Sequence, residues 1–235
     1  MKLHLSSLAF NLLQVVYPTT CACCDEVLVR GEKQICLHCL SSLTRTCYSS
    51  HDENHTERLL GGRIPNLQYA TSLFTFHKEN TVQKLVHAMK FHKNSDLCLL
   101  MGRQMGLDLL HSGRFDDIDL LVPVPLHWLR RLRRGYNQSE LLCRGIAEVM
   151  HREINTKALV RHRYTTQQSL TSAAERESNV MGAFRVRHPE QLEGRHLLLV
   201  DDVLTTGATL VSCCDALSEV NNLKISIATL SVADI

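Results

Sequence analysis

Side chains of three kinds follow one another in His196-Leu-Leu-Leu-Val-Asp-Asp-Val-Leu-Thr-Thr-Gly-Ala-Thr209, in the order a phosphorylated sugar needs them. Asp201 and Asp202 are adjacent carboxylates that can accept hydrogen bonds from a ribose diol. Thr205, Thr206 and Thr209 then offer hydroxyls, and Gly207 lets backbone approach a ligand closely. A helix starting near Ala208 would aim free N–H groups at an anion. A helix cap alone explains one threonine, but not two carboxylates placed directly before the cluster. The element that must carry them is Leu197 to Val200, a short apolar run of the kind that forms a strand buried on both faces of a parallel sheet. The carboxylates then emerge at its carboxyl end, where open α/β sheets bind ligands.

A second chemical stretch is Ile118 to Asn137, IDLLVPVPLHWLRRLRRGYN. A buried strand ends in Val122-Pro-Val-Pro125, and the prolines fix the backbone as it leaves the sheet. Arg130, Arg131, Arg133 and Arg134 follow, with Trp128 and Tyr136 interleaved. The arginines can reach a pyrophosphate bound at the strand end. They can equally track a single-stranded backbone whose bases stack on Trp128 and Tyr136, or form a solvated basic helix end. All three readings stand at the level of sequence.

Ten cysteines occur in the chain, six of them between Cys21 and Cys47. Cys21-Ala-Cys-Cys24 and Cys36-Leu-His-Cys39 are two C-x-x-C pairs, with Gly31 between them to turn the chain. Two tight knuckles of this kind supply the four soft ligands of a structural zinc and leave no open position for water. Cys24 is taken over the neighbouring Cys23 on spacing. Cys47, His51 and His55 recur every fourth residue and read as incidental residues of a polar loop rather than a second site.

These stretches need a frame. Apolar spacing predicts a helix over Leu3 to Val16, stopped by Pro18, and a polar linker over Thr44 to Pro65. The division falls near Gly62: residues 1–62 form an N-terminal helix, cysteine knuckle and linker, and 63–235 form a single larger domain. Strands are expected at Tyr69 to Phe76, Ile118 to Val124, around Leu198 and at Ile225 to Val232. Helices are expected at Val82 to Met89, Leu97 to Leu110 and Ser139 to Met150. Their alternation predicts an α/β fold with a parallel sheet flanked by helices. With 235 residues and 44% hydrophobic content the chain can bury one ordinary core and carry a small appendage. A net charge of +2 supplies no global field for nucleic acid, so basic surface must be local. The N-terminal stretch is too short and too polar to span a bilayer and lacks a cleavage site. Clustered cysteines without that leader predict a cytoplasmic, reducing location.

The segment from His196 to Thr209 resembles the phosphoribosyl pyrophosphate (PRPP) signature of type I phosphoribosyltransferases. Nearly the whole chain is similar to the ComF family of competence-associated proteins, which join an N-terminal zinc knuckle to such a domain. The resemblance rests on Cys21, Cys24, Cys36 and Cys39, the Val-His-Ala-Met-Lys90-Phe segment, Val-Pro-Val-Pro-Leu-His127 and Arg134-Gly-Tyr-Asn-Gln138. Thr165, Gln168, Ser172, Arg176, Asn179 and Ala183-Phe184 extend it. It implies that Asp201 and Asp202 hold the ribose hydroxyls and act in catalysis, and that Thr205 to Thr209 surround the 5′-phosphate. It further implies that Pro125, Arg134 and Lys90 face pyrophosphate, with Mg²⁺ arriving on the ligand. Single-stranded DNA and other competence proteins are the implied partners, Arg130, Arg131, Arg133, Trp128 and Tyr136 making the nucleic-acid contacts. The resemblance admits two functions: phosphoribosyl transfer, or non-catalytic DNA handling on a vestigial transferase fold. The chain departs from the family after Lys90, where Phe91-His-Lys-Asn94 replaces a glycine, and after Cys47, where no second knuckle follows.

Overall fold

A computed structural model of the chain describes residues 18–77, 80–91, 94–162 and 181–233. The expected N-terminal helix over Leu3 to Val16, and Thr165, Gln168, Ser172, Arg176 and Asn179, lie outside the described residues. The described elements run α1 (Leu37–Ser41), α2 (His55–Leu60), β1 (Leu67–Phe76), α3 (Thr81–Phe91), α4 (Ser95–Ser112), β2 (Leu120–Pro123), α5 (Trp128–Arg134), α6 (Gln138–Met150), β3 (Glu153–Ile154), β4 (Leu159–Arg161), β5 (Phe184–Val186), β6 (His196–Leu204), α7 (Ala208–Leu217) and β7 (Lys224–Ala233).

Five of the strands form one parallel sheet in the order β1-β7-β6-β2-β3, and β4 pairs with β5 as an antiparallel hairpin. Strand side chains alternate between two apolar layers, as a period of two requires. Leu121, Leu198, Val200, Ala228 and Leu230 pack with α3, α4 and α6 on one face. Leu120, Val122, Leu197, Leu199 and Ile227 pack with α2, α7 and the β4–β5 hairpin on the other. The central strands are thus covered on both sides, which is why they read as continuous apolar runs.

The expected linker over Thr44 to Pro65 is instead packed against the sheet. Thr46 N–H donates to the Leu73 carbonyl and Thr75 N–H to that of Thr44, each at 3.1 Å, so the segment covers the outer edge of β1. Asn54 donates to the Ala70 carbonyl at 2.9 Å and accepts from Glu57 N–H at 3.1 Å, capping α2. The buried Thr56 hydroxyl meets Ser72 at 2.8 Å. Arg114 binds Glu57 at 3.0 Å and lies 4.7 Å from the Tyr69 ring centroid. An edge strand carries unpaired backbone groups, and this polar segment satisfies them.

Candidate functional site

The site arises where the sheet divides. β6 pairs with β2 only as far as Val200, which is opposite Pro123, and Val124 N–H makes the last bond to the Val200 carbonyl at 2.9 Å. On its other side β6 stays paired with β7 as far as Leu204, opposite Val232. The strand therefore extends four residues beyond the expected Leu197 to Val200 run, because β7 continues to supply partners. Asp201 and Asp202 lie on this extension, beyond the last pairing with β2. From β2 the chain crosses through α6 to β3, and from β6 it crosses through α7 to β7 in the opposite direction. This is a topological switch point, the place where open α/β sheets leave a crevice at their carboxyl ends.

The two carboxylates sit in different surroundings. Asp201 accepts from the Ser139 hydroxyl at 3.0 Å and from the N–H of Asp202 at 2.9 Å. Burial raises its carboxyl pKa to about 7, with repulsion from Asp202 adding to the rise and Ser139 and Lys90 opposing it. Asp202 forms an ion pair with Lys90 at 3.0 Å, both side chains being mostly buried. One group is thus poised near neutrality beside a second that already holds a cation.

The threonine loop follows. Gly207 has φ +77°, and a Cβ there would come within 2.9 Å of Leu60 Cδ2, so both conformation and space favour glycine. Arg63 donates to the Thr206 carbonyl at 2.6 Å and fixes the turn from outside. Helix α7 begins at Ala208 without a side-chain cap, so its first-turn N–H groups face the loop. Thr205, Thr206 and Thr209 surround this opening; Thr205 is exposed and the other two are half-buried.

The arginine run, with no helix assigned to it from sequence, forms the seven-residue helix α5. His127 is buried and caps it, its Nδ1 accepting from Leu129 N–H at 3.3 Å. Burial, then Arg161 and Arg130, lower the His127 pKa. Beyond Gly135, the Tyr136 hydroxyl and the Gln138 amide donate to the Met89 carbonyl at 2.7 and 3.2 Å, and the Asn137 amide donates to Val124 at 3.0 Å. The residue before Lys90 is therefore clamped by the loop after α5. Arg134 is half-buried, donates to Gln138 at 3.2 Å and lies 5.8 Å from the Phe91 ring centroid. Burial lowers its pKa, while the charge of Asp202 opposes the fall. Pro125 is half-buried just past the end of β2.

The structure thus gathers Lys90, Arg134, Asp201 and Asp202, and places Tyr136 as a structural strut. Trp128, Arg131 and Arg133 are exposed along α5, and Arg131 reaches Glu140 at 3.4 Å. Ser139, Arg63 and Arg161 escape a reading by sequence. Arg161, on β4, feels the charges of Arg130 and Asp201 and lies 5.3 Å from the Phe184 ring centroid. No spacing links residues 161 and 201. Only for Ser139 is there a local signal, its place at the first turn of a helix after Arg134-Gly-Tyr-Asn-Gln138.

The four cysteines of the two knuckles converge separately. The sulfurs of Cys21, Cys24, Cys36 and Cys39 lie within 4.8 Å of one another, and those of Cys24 and Cys36 are 3.8 Å apart. A tetrahedral ion with metal–sulfur bonds of about 2.3 Å requires edges of about 3.8 Å, so the set fits a structural metal. Backbone N–H groups of Cys23 and Cys36 point at the Cys21 sulfur at 3.4 and 3.3 Å. Burial disfavours the Cys21 thiolate, but these bonds outweigh it and bring the pKa down to about 7. Cys23 is buried, its pKa pushed up to about 12 by desolvation, and it stays outside the set. Among the described residues, Cys47, His51 and His55 do not gather as a ligand group. No helix among the described residues is long and apolar enough to cross a membrane.

Residues 138–233 match the phosphoribosyl transferase domain family. Over 136 residues the chain is 38% identical to the DNA utilization protein YhgH of Escherichia coli (strain K12), covering 57% of this chain and 59% of that protein. Over 130 residues it is 31% identical to competence protein F of Haemophilus influenzae, covering 54% and 57%. The match thus spans less than two thirds of the length of these curated relatives. Among solved structures, the glutamine PRPP amidotransferase of B. subtilis complexed with ADP and GMP aligns at 17% identity over 61% of this chain and 26% of that one, with a TM-score of 0.38. Sheet topology, the matched domain and the two relatives together support a ComF-like protein carrying a phosphoribosyl transferase domain.

Proposed function

We propose that the cleft at the β6–β2 split binds PRPP with Mg²⁺ and serves phosphoribosyl transfer in a protein that handles single-stranded DNA. The carrying observation is the paired carboxylates, set beyond the last β2 pairing and followed at once by the uncapped start of α7. In this reading Asp201 and Asp202 accept from the ribose hydroxyls, and the Thr205 to Thr209 loop encloses the 5′-phosphate. Lys90 exchanges its bond to Asp202 for the pyrophosphate, where Pro125 shapes the backbone and Arg134 adds charge. Mg²⁺ enters on the pyrophosphate. Transfer breaks the bond from the anomeric carbon to pyrophosphate while the acceptor forms a new one, and positive charge gathers on the sugar. Such a step calls for positioning and fixed charge more than for a protein nucleophile. Zn²⁺ on Cys21, Cys24, Cys36 and Cys39 is structural, and the free thiols suit a cytoplasmic setting.

Titration calorimetry with PRPP and Mg²⁺ tests the site. Wild-type protein should bind, and the Asp201→Ala, Asp202→Ala variant should lose binding; equal heats from both proteins would overturn the assignment.

The likeness to a DNA utilization protein and a competence protein, together with the exposed Arg/Trp surface of α5, favours the second part of the reading. Labelled single-stranded DNA should bind the wild type with strong salt dependence. Replacing Arg130, Arg131, Arg133 and Arg134 with Ala should weaken binding and flatten its salt slope. Unchanged affinity and slope would remove DNA from α5. DNA binding without any response to PRPP would favour a non-catalytic DNA-handling protein on the same fold.

A further inference from the structure

A cavity of about 200 Å³ lies between the exit of β2, α5, the start of α6 and β4. Neither Asp201 nor Asp202 lines it. We propose that it receives one unstacked nucleobase bearing an exocyclic amino group, from a strand whose phosphates lie on the arginines of α5. This rests on the nucleic-acid reading of α5 given above.

Pro125, Leu126 and Leu159 form apolar walls, and Trp128 stands at the rim with 64% of its surface exposed. An aromatic ring left in solvent beside a small apolar recess is a stacking platform, and a base has two flat apolar faces to offer it. Glu140, whose side chain is only 12% exposed, is the acidic group of a lining that also holds Asn137, Thr156, Arg131 and Arg161. Its carboxylate accepts from Arg144 at 2.7 Å and faces Arg131 at 3.4 Å. A carboxylate has about four acceptor positions, so capacity for a further donor remains. Carboxylate side chains read the exocyclic amino group of cytosine in this way.

Charge decides which part of a nucleotide enters. A phosphate pushed into the cavity would meet Glu140 beside Arg131 and Arg161, a lining of mixed charge. On the outer surface it meets α5, which carries four arginines and no acidic residue. The arrangement therefore suits a neutral hydrogen-bond donor attached to a polyanion: base inward, backbone outward. Thymine lacks the exocyclic amino group and is the natural counter-ligand.

The test uses the full chain and fluorescence anisotropy with labelled strands of about twelve nucleotides: oligo-dC, oligo-dT and an abasic strand of equal length. Oligo-dC should bind about tenfold more tightly than oligo-dT. Glu140→Leu should bring that ratio to about one; freeing Arg131 and Arg144 changes every strand alike and leaves the ratio unaffected. Leu126→Trp, which fills the cavity from a half-buried position, should reduce oligo-dC to the affinity of the abasic strand. Free deoxycytidine binding as tightly as oligo-dC would make the occupant a small molecule and overturn the strand assignment. Equal affinity of wild type for all three strands would overturn the cavity while leaving DNA on α5. No binding of any strand would overturn both.

Discussion

At Asp201 stability and ligand binding pull in opposite directions. In the unfolded chain its carboxyl has the ordinary value of about 3.9, whereas in the fold burial and Asp202 raise it to about 7. The folded state holds the proton longer. The group therefore favours the fold most at low pH, and that contribution declines as pH rises from about 4 to about 7, by on the order of 4 kcal/mol if the whole shift is realised. Asp201→Asn should raise Tm at pH 8 and flatten the stability profile between pH 4 and 7, as thermal unfolding at several pH values would show. The same change should weaken PRPP binding, because the diol needs an anionic acceptor. For the wild type, affinity for Mg²⁺-bound PRPP should rise by roughly fivefold from pH 6 to pH 7. Constant affinity across that interval would show that Asp201 does not titrate in the complex.

Between elements, the packing that carries the site depends on two glycines. A Cβ on Gly145 in α6 would stand 2.4 Å from the Leu99 carbonyl and 2.7 Å from Gly102 Cα in α4. A Cβ on Gly102 would stand at the same 2.4 Å from the Leu142 carbonyl. The helices touch backbone to backbone, and the N-terminal turn of α6 delivers Gln138 and Ser139 to Met89 and Asp201. Gly145→Ala should overpack this crossing and cost about 1–3 kcal/mol or more in chemical denaturation. It should also weaken PRPP binding by displacing Ser139. An undisturbed Ser139 would separate helix packing from the site, with stability lost and affinity retained.

Taken as a whole, the molecule joins the cysteine module to the sheet domain through a continuous apolar cluster. Cys21, Cys36, Cys39 and Leu43 belong to the same core as Leu85, Met89 and Met101. The Ser42 hydroxyl bonds Thr81 at 2.9 Å, and Arg45 donates to Gln104 at 2.7 Å. A bound metal should therefore stabilise more than its own loop. Removing it with a strong chelator, or replacing Cys36 with Ser, should lower the main calorimetric transition rather than melt the module separately. A main transition at unchanged temperature would show that the two parts unfold independently.

The two densest sites announce themselves locally. In Cys21 to Cys39 the four sulfurs lie on tight knuckles, so spacing alone made their convergence legible. In His196 to Thr209 a strand, its end and a helix start are consecutive, so the residues that converge are also neighbours in sequence. The central strands and long helices were legible for a similar reason, since burial on one or two faces imposes its own period. Tertiary structure decided everything that joins distant segments. It extended β6 to Leu204 because β7 lay alongside, and turned the polar stretch from Thr44 into a cover for β1 because that edge needed partners. It made α5 from a run that charge alone left open, and it brought Lys90, Ser139 and Arg161 toward one pair of carboxylates. Spacing specifies chemistry within a turn or two of chain; across 40 or more residues only the order of the strands and the packing of the helices can do so.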